Sequence, residues 1–318
     1  MLIYLLKRLF IAVLVVVATS ALTFFLLLAS PGDTAEVIVK KILVGEEEYS
    51  PTKQEIEQVK DVFELNAPGV VLYLKWLSKA VHGDLGCSYV SGLPVTQEIL
   101  TRLPATALLA ITATLLSVIV AIPLGILSAA RPNSFWDYAC LTYSAFFISV
   151  PNFWLALILI LFFSLYLDLL PVAGFGSLAH LILPAITLAA GMSAITVRLT
   201  RASLLDVLRQ DYIITARAKG LAEKTILYRH ALRNALIPVV TMIGLQIGHL
   251  LSGTVIVETV FGWPGIGKLL ADSIEVRDIP MIQGCVVFIA IMFSLVNILV
   301  DFSYRFLDPR VKYGDESD

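Results

Sequence analysis

Six apolar runs divide the chain: Leu9 to Ala29, Pro104 to Ala130, Tyr138 to Leu167, Leu178 to Val197, Ala235 to Val257 and Met281 to Val300. A helix rises about 1.5 Å per residue, so roughly 20 such residues cross a hydrocarbon core of about 30 Å. The pattern predicts six membrane-spanning α-helices. The first run has 21 residues without a charge. A secretory signal has an apolar region of only about 7–15 residues, so this run reads as an uncleaved first span. The second run carries Pro123 and Gly125 near its end, where proline frees a carbonyl and invites a kink. The third is longer than a bilayer needs, which implies a tilt or a break near Pro151.

The polar gaps orient the runs. Lys7 and Arg8 precede the first, Arg131 lies between the second and third, and Arg305, Arg310 and Lys312 follow the sixth. The gap from Asp168 to Ser177 has no Lys or Arg. An excess of Lys and Arg marks cytoplasmic loops. Both termini are therefore expected in the cytoplasm, with Asp168 to Ser177 and Glu258 to Pro280 outside.

The gap from Ser30 to Leu103 is long, with eleven acidic and seven basic residues. A loop of this length follows the charge rule only weakly, and its outside placement comes from its neighbours. It is expected to fold into short helices. Thr52 and Glu55 have capping-box spacing ahead of an apolar stripe of Ile56, Val59 and Phe63. Val70, Tyr73, Leu74, Leu77 and Val81 make a second stripe, stopped by Gly83 and Gly86. Two roles fit this region: a spacer packed on the chain's own outer face, or a docking surface for an external binding protein.

Arg198 to Asn234 stands out among the gaps. Eight Arg and Lys face only Asp206, Asp211 and Glu223. Tyr212 to Lys219 holds good helix formers and no Gly or Pro, and Gly220 is placed to end that helix in a left-handed conformation. Leu221 restarts a helical pattern. Two helices meeting at a glycine, held under the membrane by basic residues, would form a docking knob for a cytoplasmic partner.

Composition agrees with a membrane protein. The chain of 318 residues is 58% hydrophobic and 15% charged, against about 25% charged in soluble domains. Cys87, Cys140 and Cys285 lie far apart, which argues against a disulfide framework or a metal cluster. GWPGIGKLL places Gly262, Gly267 and Lys268 on a phosphate-loop spacing, but Leu269 stands where the Mg²⁺-binding hydroxyl belongs and Pro264 removes a backbone N–H. No catalytic constellation or metal site is read. No span carries an Asp, Glu, Lys or Arg near its middle, as a proton- or sodium-coupled carrier would, and neither a carbonyl filter nor a charged ring of an ion channel is read. One mid-span polar face is read on the fifth run, from Gln246, His249 and Ser252 at steps of three. Either it bonds a neighbouring helix, or it lines a translocation path where His249 meets nickel or a peptide backbone.

The segments DYIITARAKG and RHALRNALIP resemble the cytoplasmic loop of ABC importer permeases of the dipeptide, oligopeptide and nickel family. GDLGCSY, PVTQEILTRLPATALLA, FGWPGIGKLL and the opening YLLKRLF are similar to the same family. Ile214, and Leu232 with Arg233, depart from the broad superfamily motif and suit the peptide and nickel branch. The resemblance implies an all-α membrane protein with six spans and the type I ABC importer transmembrane fold, in the inner membrane of a prokaryotic cell. It implies a first span over 1–30, an extracytoplasmic region over 31–95, a permease domain over 96–307 with its coupling loop at 198–234, and a tail over 308–318. Asp211, Tyr212, Ala216, Arg217, Lys219, Gly220 and Leu221 would seat a coupling helix in an ATPase groove, with Ala216 and Gly220 allowing close packing. Trp263, Pro264 and Gly265 would lie near an outer gate.

The implied partners are a second, homologous permease in a heterodimer, two cytoplasmic ATPases, an external substrate-binding protein and membrane lipid, with no nucleic acid. This chain would bind no cofactor of its own, because ATP and Mg²⁺ belong to the ATPases, and it is no enzyme. Its cargo would be a small peptide or nickel, free or chelated. Two rival classes are a gradient-driven carrier or channel without an ATPase, and a membrane scaffold.

Overall fold

The computed structural model describes residues 2–29, 34–40, 49–62 and 66–307. Side chains are described for all of these but 2–5, 34, 37, 251–253 and 303–307. Phe63, expected in the first outer stripe, lies outside the described residues.

The described chain is helical: α1 (Leu2–Ala29), α2 (Thr34–Val37), α3 (Lys53–Val62), α4 (Gly69–Val81), α5 (Val95–Ala130), α6 (Phe135–Ser149), α7 (Asn152–Leu159), α8 (Leu178–Leu208), α9 (Asp211–Ala218), α10 (Glu223–Thr225), α11 (Leu232–Val260), α12 (Ile266–Glu275) and α13 (Ile279–Leu307).

 The chain between α7 and α8 begins with a π-helical stretch, Ile160–Tyr166, and a second one, Ile226–Ala231, joins α10 to α11. Among the described residues five helices are long and apolar enough to cross a membrane, and a sixth span is counted if the bent pair of α6 and the helix continuing from α7 to Tyr166 is taken as one.

That bend is the break expected near Pro151. The axes before and after it differ by 103°. Proline has no N–H to continue the helix and disfavours helical geometry in the residue before it. Val150 accordingly leaves α6 extended, at φ −84° and ψ 121°. Two spans run further than the apolar runs alone suggest. α5 begins nine residues ahead of Pro104, which sits inside the helix without ending it. α8 continues eleven residues past Val197 into the basic stretch. RLTRASLLDVL contains no Gly or Pro, and its Leu204 and Val207 are buried, so packing and propensity both extend the helix.

The chain forms two compact units. One comprises residues 1–106 and 264–294, the other 107–263 and 295–318. In the first unit, Thr52 and Glu55 make the reciprocal capping box: the Thr52 amide donates to Glu55 Oε2 at 2.7 Å and the Glu55 amide to Thr52 Oγ1 at 3.3 Å. The bond from the Thr52 amide, then those from the Thr52 and Tyr49 hydroxyls, hold the Glu55 carboxyl below the usual carboxylate range. α3 buries Val59 with Ala35, Ile38 and Val39. Asp278 precedes α13 and accepts from Ser88 Oγ and the Tyr89 amide, which ties the loop after α4 to the start of that helix.

In the second unit α8 is the central helix, packed by α6, α7 and α11. Gly125 of α5 faces Thr200 of α8, where a Cβ would collide with the threonine side chain. The absent side chain therefore lets the two helices close.

Candidate functional site

The end of α8 and the elements after it build one compact feature. α8 stops at Leu208 with Arg209 as its cap, Gln210 turns the chain at φ −74° and ψ 150°, and α9 follows at once. Ile213 and Ala216, three residues apart, point the same way and are buried with Ile126, Ala129, Leu204, Val207, Ile226, Ala231 and Ala235. The rest of α9 is exposed: Asp211, Tyr212, Ile214, Thr215, Arg217 and Ala218. Lys219, Gly220 and Leu221 continue that exposed surface. A helix of eight residues is too short to hold itself in water. Its buried pair and its end contacts keep it in place.

Those end contacts are specific. Gly220 has φ +78°. Its amide donates to the Arg217 carbonyl at 2.9 Å, and the Leu221 amide donates to the Ala216 carbonyl at 3.3 Å. This pair of bonds is the Schellman closure, with glycine at the left-handed position. The Tyr212 hydroxyl receives a bond from Asn234 Nδ2 at 2.8 Å, which fastens α9 to the start of α11. Arg217 grips Glu223 through Nε at 2.8 Å and Nη2 at 3.4 Å. That bond raises the Arg217 guanidinium above its ordinary range. The pair is exposed, so it positions the turn more than it stabilises it.

The seven residues expected to form a coupling helix thus lie together on one knob. Ala216 is the one among them that faces inward. Sequence reasoning passed over Ile213, whose burial anchors the knob. The step of three from Ile213 to Ala216 was the signal for it.

Gln246 of α11 is buried and bonds α8 twice, accepting from Thr196 Oγ1 and donating to the Met192 carbonyl, both at 3.2 Å. His249 is exposed. Ser252 is on the helix, and its side chain lies outside the described residues. Gln246 therefore bonds a neighbouring helix, one of the two roles expected of this face, while His249 one turn on is exposed.

Around Trp263 the glycines punctuate helices. Gly262, at φ +60°, closes α11: its amide donates to the Thr259 carbonyl at 3.2 Å, and the Trp263 amide to the Glu258 carbonyl at 2.8 Å. Trp263 is buried, with its ring edge-on to Phe175 at 4.8 Å. The Gly174 amide also donates to the Phe261 carbonyl at 2.8 Å, so the Asp168 to Ser177 segment is pinned against the end of α11. Gly265 caps α12, and Pro264 precedes it. Lys268 pairs with Asp272 at 2.7 Å within α12. The phosphate-loop spacing is thus a helix stop followed by a helix start.

Sequence reasoning also missed a buried ion pair. Asp137 sits at the start of α6 and accepts two bonds from Arg201 of α8, Nε to Oδ1 at 2.6 Å and Nη2 to Oδ2 at 2.8 Å. Ser128 Oγ of α5 and the Asn133 amide donate to the same carboxylate. The Asp137 amide in turn donates to Ser134 Oγ. The Ser-x-x-Asp spacing of 134 and 137 was a legible cap, but its link to Arg201 was not.

The comparisons with known proteins cover the whole of this architecture. Residues 121–313 match the family described as binding-protein-dependent transport system inner membrane component, and residues 1–110 match its N-terminal component. The oligopeptide transport system permease protein AppB of Bacillus subtilis (strain 168) is 40% identical over 98% of this chain and 99% of its own length. The glutathione transport system permease protein GsiC of Escherichia coli (strain K12) is 42% identical over 98% of this chain and 100% of its own. Among solved structures, the MetNI methionine ABC transporter in an inward-facing conformation aligns with a TM-score of 0.56 at 17% identity, over 67% of this chain and 97% of that one. An amino acid ABC transporter solved with histidines aligns at 0.54 and 15% identity, over 66% and 94%. These two likenesses show the fold, which is that of type I importer permeases. Two family matches across nearly the full length, with relatives above 40% identity or at it, settle the assignment: this chain belongs to the binding-protein-dependent transport system inner membrane components, the multi-pass permease subunits of ABC importers.

Proposed function

We propose that this chain is one of two homologous permease subunits in an importer for small peptides, and that α9 is the element through which two cytoplasmic ATPases drive it. The observation that carries the reading is the knob itself. A short helix is anchored by Ile213 and Ala216, closed by Gly220, and leaves Tyr212, Ile214 and Arg217 exposed. The relatives' cargoes, oligopeptide and glutathione, support a peptide substrate here. An external binding protein would deliver the peptide. The ATPases hold ATP and Mg²⁺, and this chain catalyses no reaction. Family membership decides against the gradient-driven carrier and the scaffold.

The knob lies in the cytoplasm and both termini with it, in keeping with the basic residues of Arg198 to Asn234. ATP closes the ATPase dimer, α9 follows its groove, and the fixed link to α8 carries the movement into the spans. Moving such a switch from 1:99 to 99:1 takes about 5.5 kcal/mol of differential binding. One experiment tests orientation and docking together. Cys87 is exposed, so a Cys87→Ser background removes its signal. In that background Lys219→Cys reacts with an impermeant thiol reagent only after permeabilisation, and the ATPase subunits protect it. Labelling in intact cells would overturn the orientation, and labelling unchanged by the ATPases would overturn the docking.

His249 is proposed to face the translocation path, where an imidazole can bond a peptide backbone. Gln246 instead holds α8 and α11 together. On this reading His249→Ala changes the concentration dependence of uptake while the amount of assembled complex is unaltered. Uptake curves that superimpose at matched complex levels would remove His249 from the path.

A further inference from the structure

α4 is fastened to α1 and, through α1, to the start of α13. Its Tyr73 packs between Phe24 and Phe25 of α1, at ring distances of 5.5 and 5.9 Å. The Tyr73 hydroxyl shares a 2.8 Å hydrogen bond with Ser20 Oγ and donates to the Val17 carbonyl at 3.2 Å. Both partners lie well inside the apolar span Leu6–Ala29. Gly69, one turn before Tyr73, is where a Cβ would collide with Leu28. The Ser20 carbonyl also accepts from Gln283 Nε2 at 2.7 Å. Gln283 is the fifth residue of α13, about 6 Å along that helix. Gln283 therefore sets Ser20, and with it the Tyr73 hydroxyl, about one turn inside the apolar end of α13.

Around α4, residues advance by about 100° each. Gly69, Tyr73, Trp76 and Ala80 share the side turned to α1 and to the Leu85 carbonyl, which accepts from Trp76 Nε1. Val70, Leu74, Leu77 and Val81 share a second side. Val70, Leu74 and Val81 are 58%, 56% and 77% exposed. Lys75 and Lys79 share a third, directed away from the apolar stripe. An apolar stripe and a lysine face on one helix, fixed at the level of a span's end, match a helix lying in the plane of the interface.

We propose that α4 is an interfacial helix whose Val70, Leu74, Leu77 and Val81 stripe is covered by lipid acyl chains, with Lys75 and Lys79 at headgroup level. The lipid is the occupant because α1, to which α4 is fastened, is itself immersed there. The inference holds for either orientation of the chain and does not depend on the coupling role of α9.

The test is spin-label accessibility in the assembled importer, reconstituted in nanodiscs of phosphatidylcholine and phosphatidylglycerol. Single cysteines at Val70, Leu74, Val81, Lys75 and Lys79 in the Cys87→Ser background carry the label. All five positions are exposed, so the substitutions leave the packing intact. Labels at 70, 74 and 81 collide with oxygen several-fold more often, relative to a water-soluble nickel complex, than labels at 75 and 79. A stripe that meets the nickel complex as freely as the lysine face is in water, and the proposal fails. A stripe shielded from both probes is covered by protein, the partner permease or the binding protein, and the proposal fails equally.

Discussion

Valine in place of Gly220 lowers uptake by about ten- to a hundredfold while the chain still inserts and assembles. Gly220 sits at φ +78°, and beyond its two chain neighbours no atom lies within 4 Å of where its Cβ would be. A side chain there meets no wall, so the substitution isolates the backbone. Left-handed geometry costs a non-glycine residue about 1–3 kcal/mol, most for a β-branched one. Each ~1.4 kcal/mol is tenfold in population. The valine chain therefore spends most of its time with the Arg217 and Ala216 carbonyls unclosed and the end of α9 frayed. Asparagine tolerates the left-handed region and should keep most of the activity, with alanine between. The measurement is peptide uptake per assembled complex for glycine, asparagine, alanine and valine. Normal uptake by Gly220→Val at normal abundance would sink the assignment of α9 as the coupling element.

Gly220 was legible because a helix end is a local matter. The bonds that close α9 span six residues, and one residue type fits the turn. The Thr52 and Glu55 box and the break at Pro151 were legible for the same reason. The resemblance carried the fold class, and the apolar runs carried the spans. Their ends were less clear. Leu204 and Val207 extend α8 because they meet Ile213 and Ile226, contacts that no apolar window contains.

Distance along the chain hid the rest. Tyr73 reaches Ser20 across 53 residues, and its stripe gave no hint of which side met α1. The spacing of Gln246 from His249 left two roles open, a bond to a neighbouring helix or a place on the path. Its role came from Thr196, 50 residues away on α8. Counting Arg and Lys by loop placed Arg201 with a basic cluster and Asp137 at the edge of a span. A count of that kind cannot pair them.

Removing the Asp137 carboxylate is expected to lose assembled importer outright, and the way it is removed separates charge from geometry. The carboxylate is buried and joins three helices, through Ser128 of α5, its own α6 and Arg201 of α8. Breaking a buried pair by deleting one partner costs about 3–5 kcal/mol, because the other charge is left uncompensated. The Arg201 side chain is 22% exposed. Some water reaches it, which puts the loss at the lower end of that range. Asp137→Ala also strands the Ser128 hydroxyl and the Asn133 amide, so it should fall furthest. Asp137→Asn keeps an acceptor for one of those two donors and should fall less. Exchanging the charges, Asp137→Arg with Arg201→Asp, should not recover stability, because an arginine cannot accept from Ser128 or Asn133. Asp137→Leu with Arg201→Met removes both charges and should recover part of it. Complex yield and thermal unfolding of detergent-solubilised importer report the order. Full recovery by the charge exchange would mean that the pair acts by charge alone, and the joining of α5 to α6 and α8 through one acceptor would be wrong. Wild-type stability of Asp137→Ala would mean that the packing of α8 against α6 suffices without it.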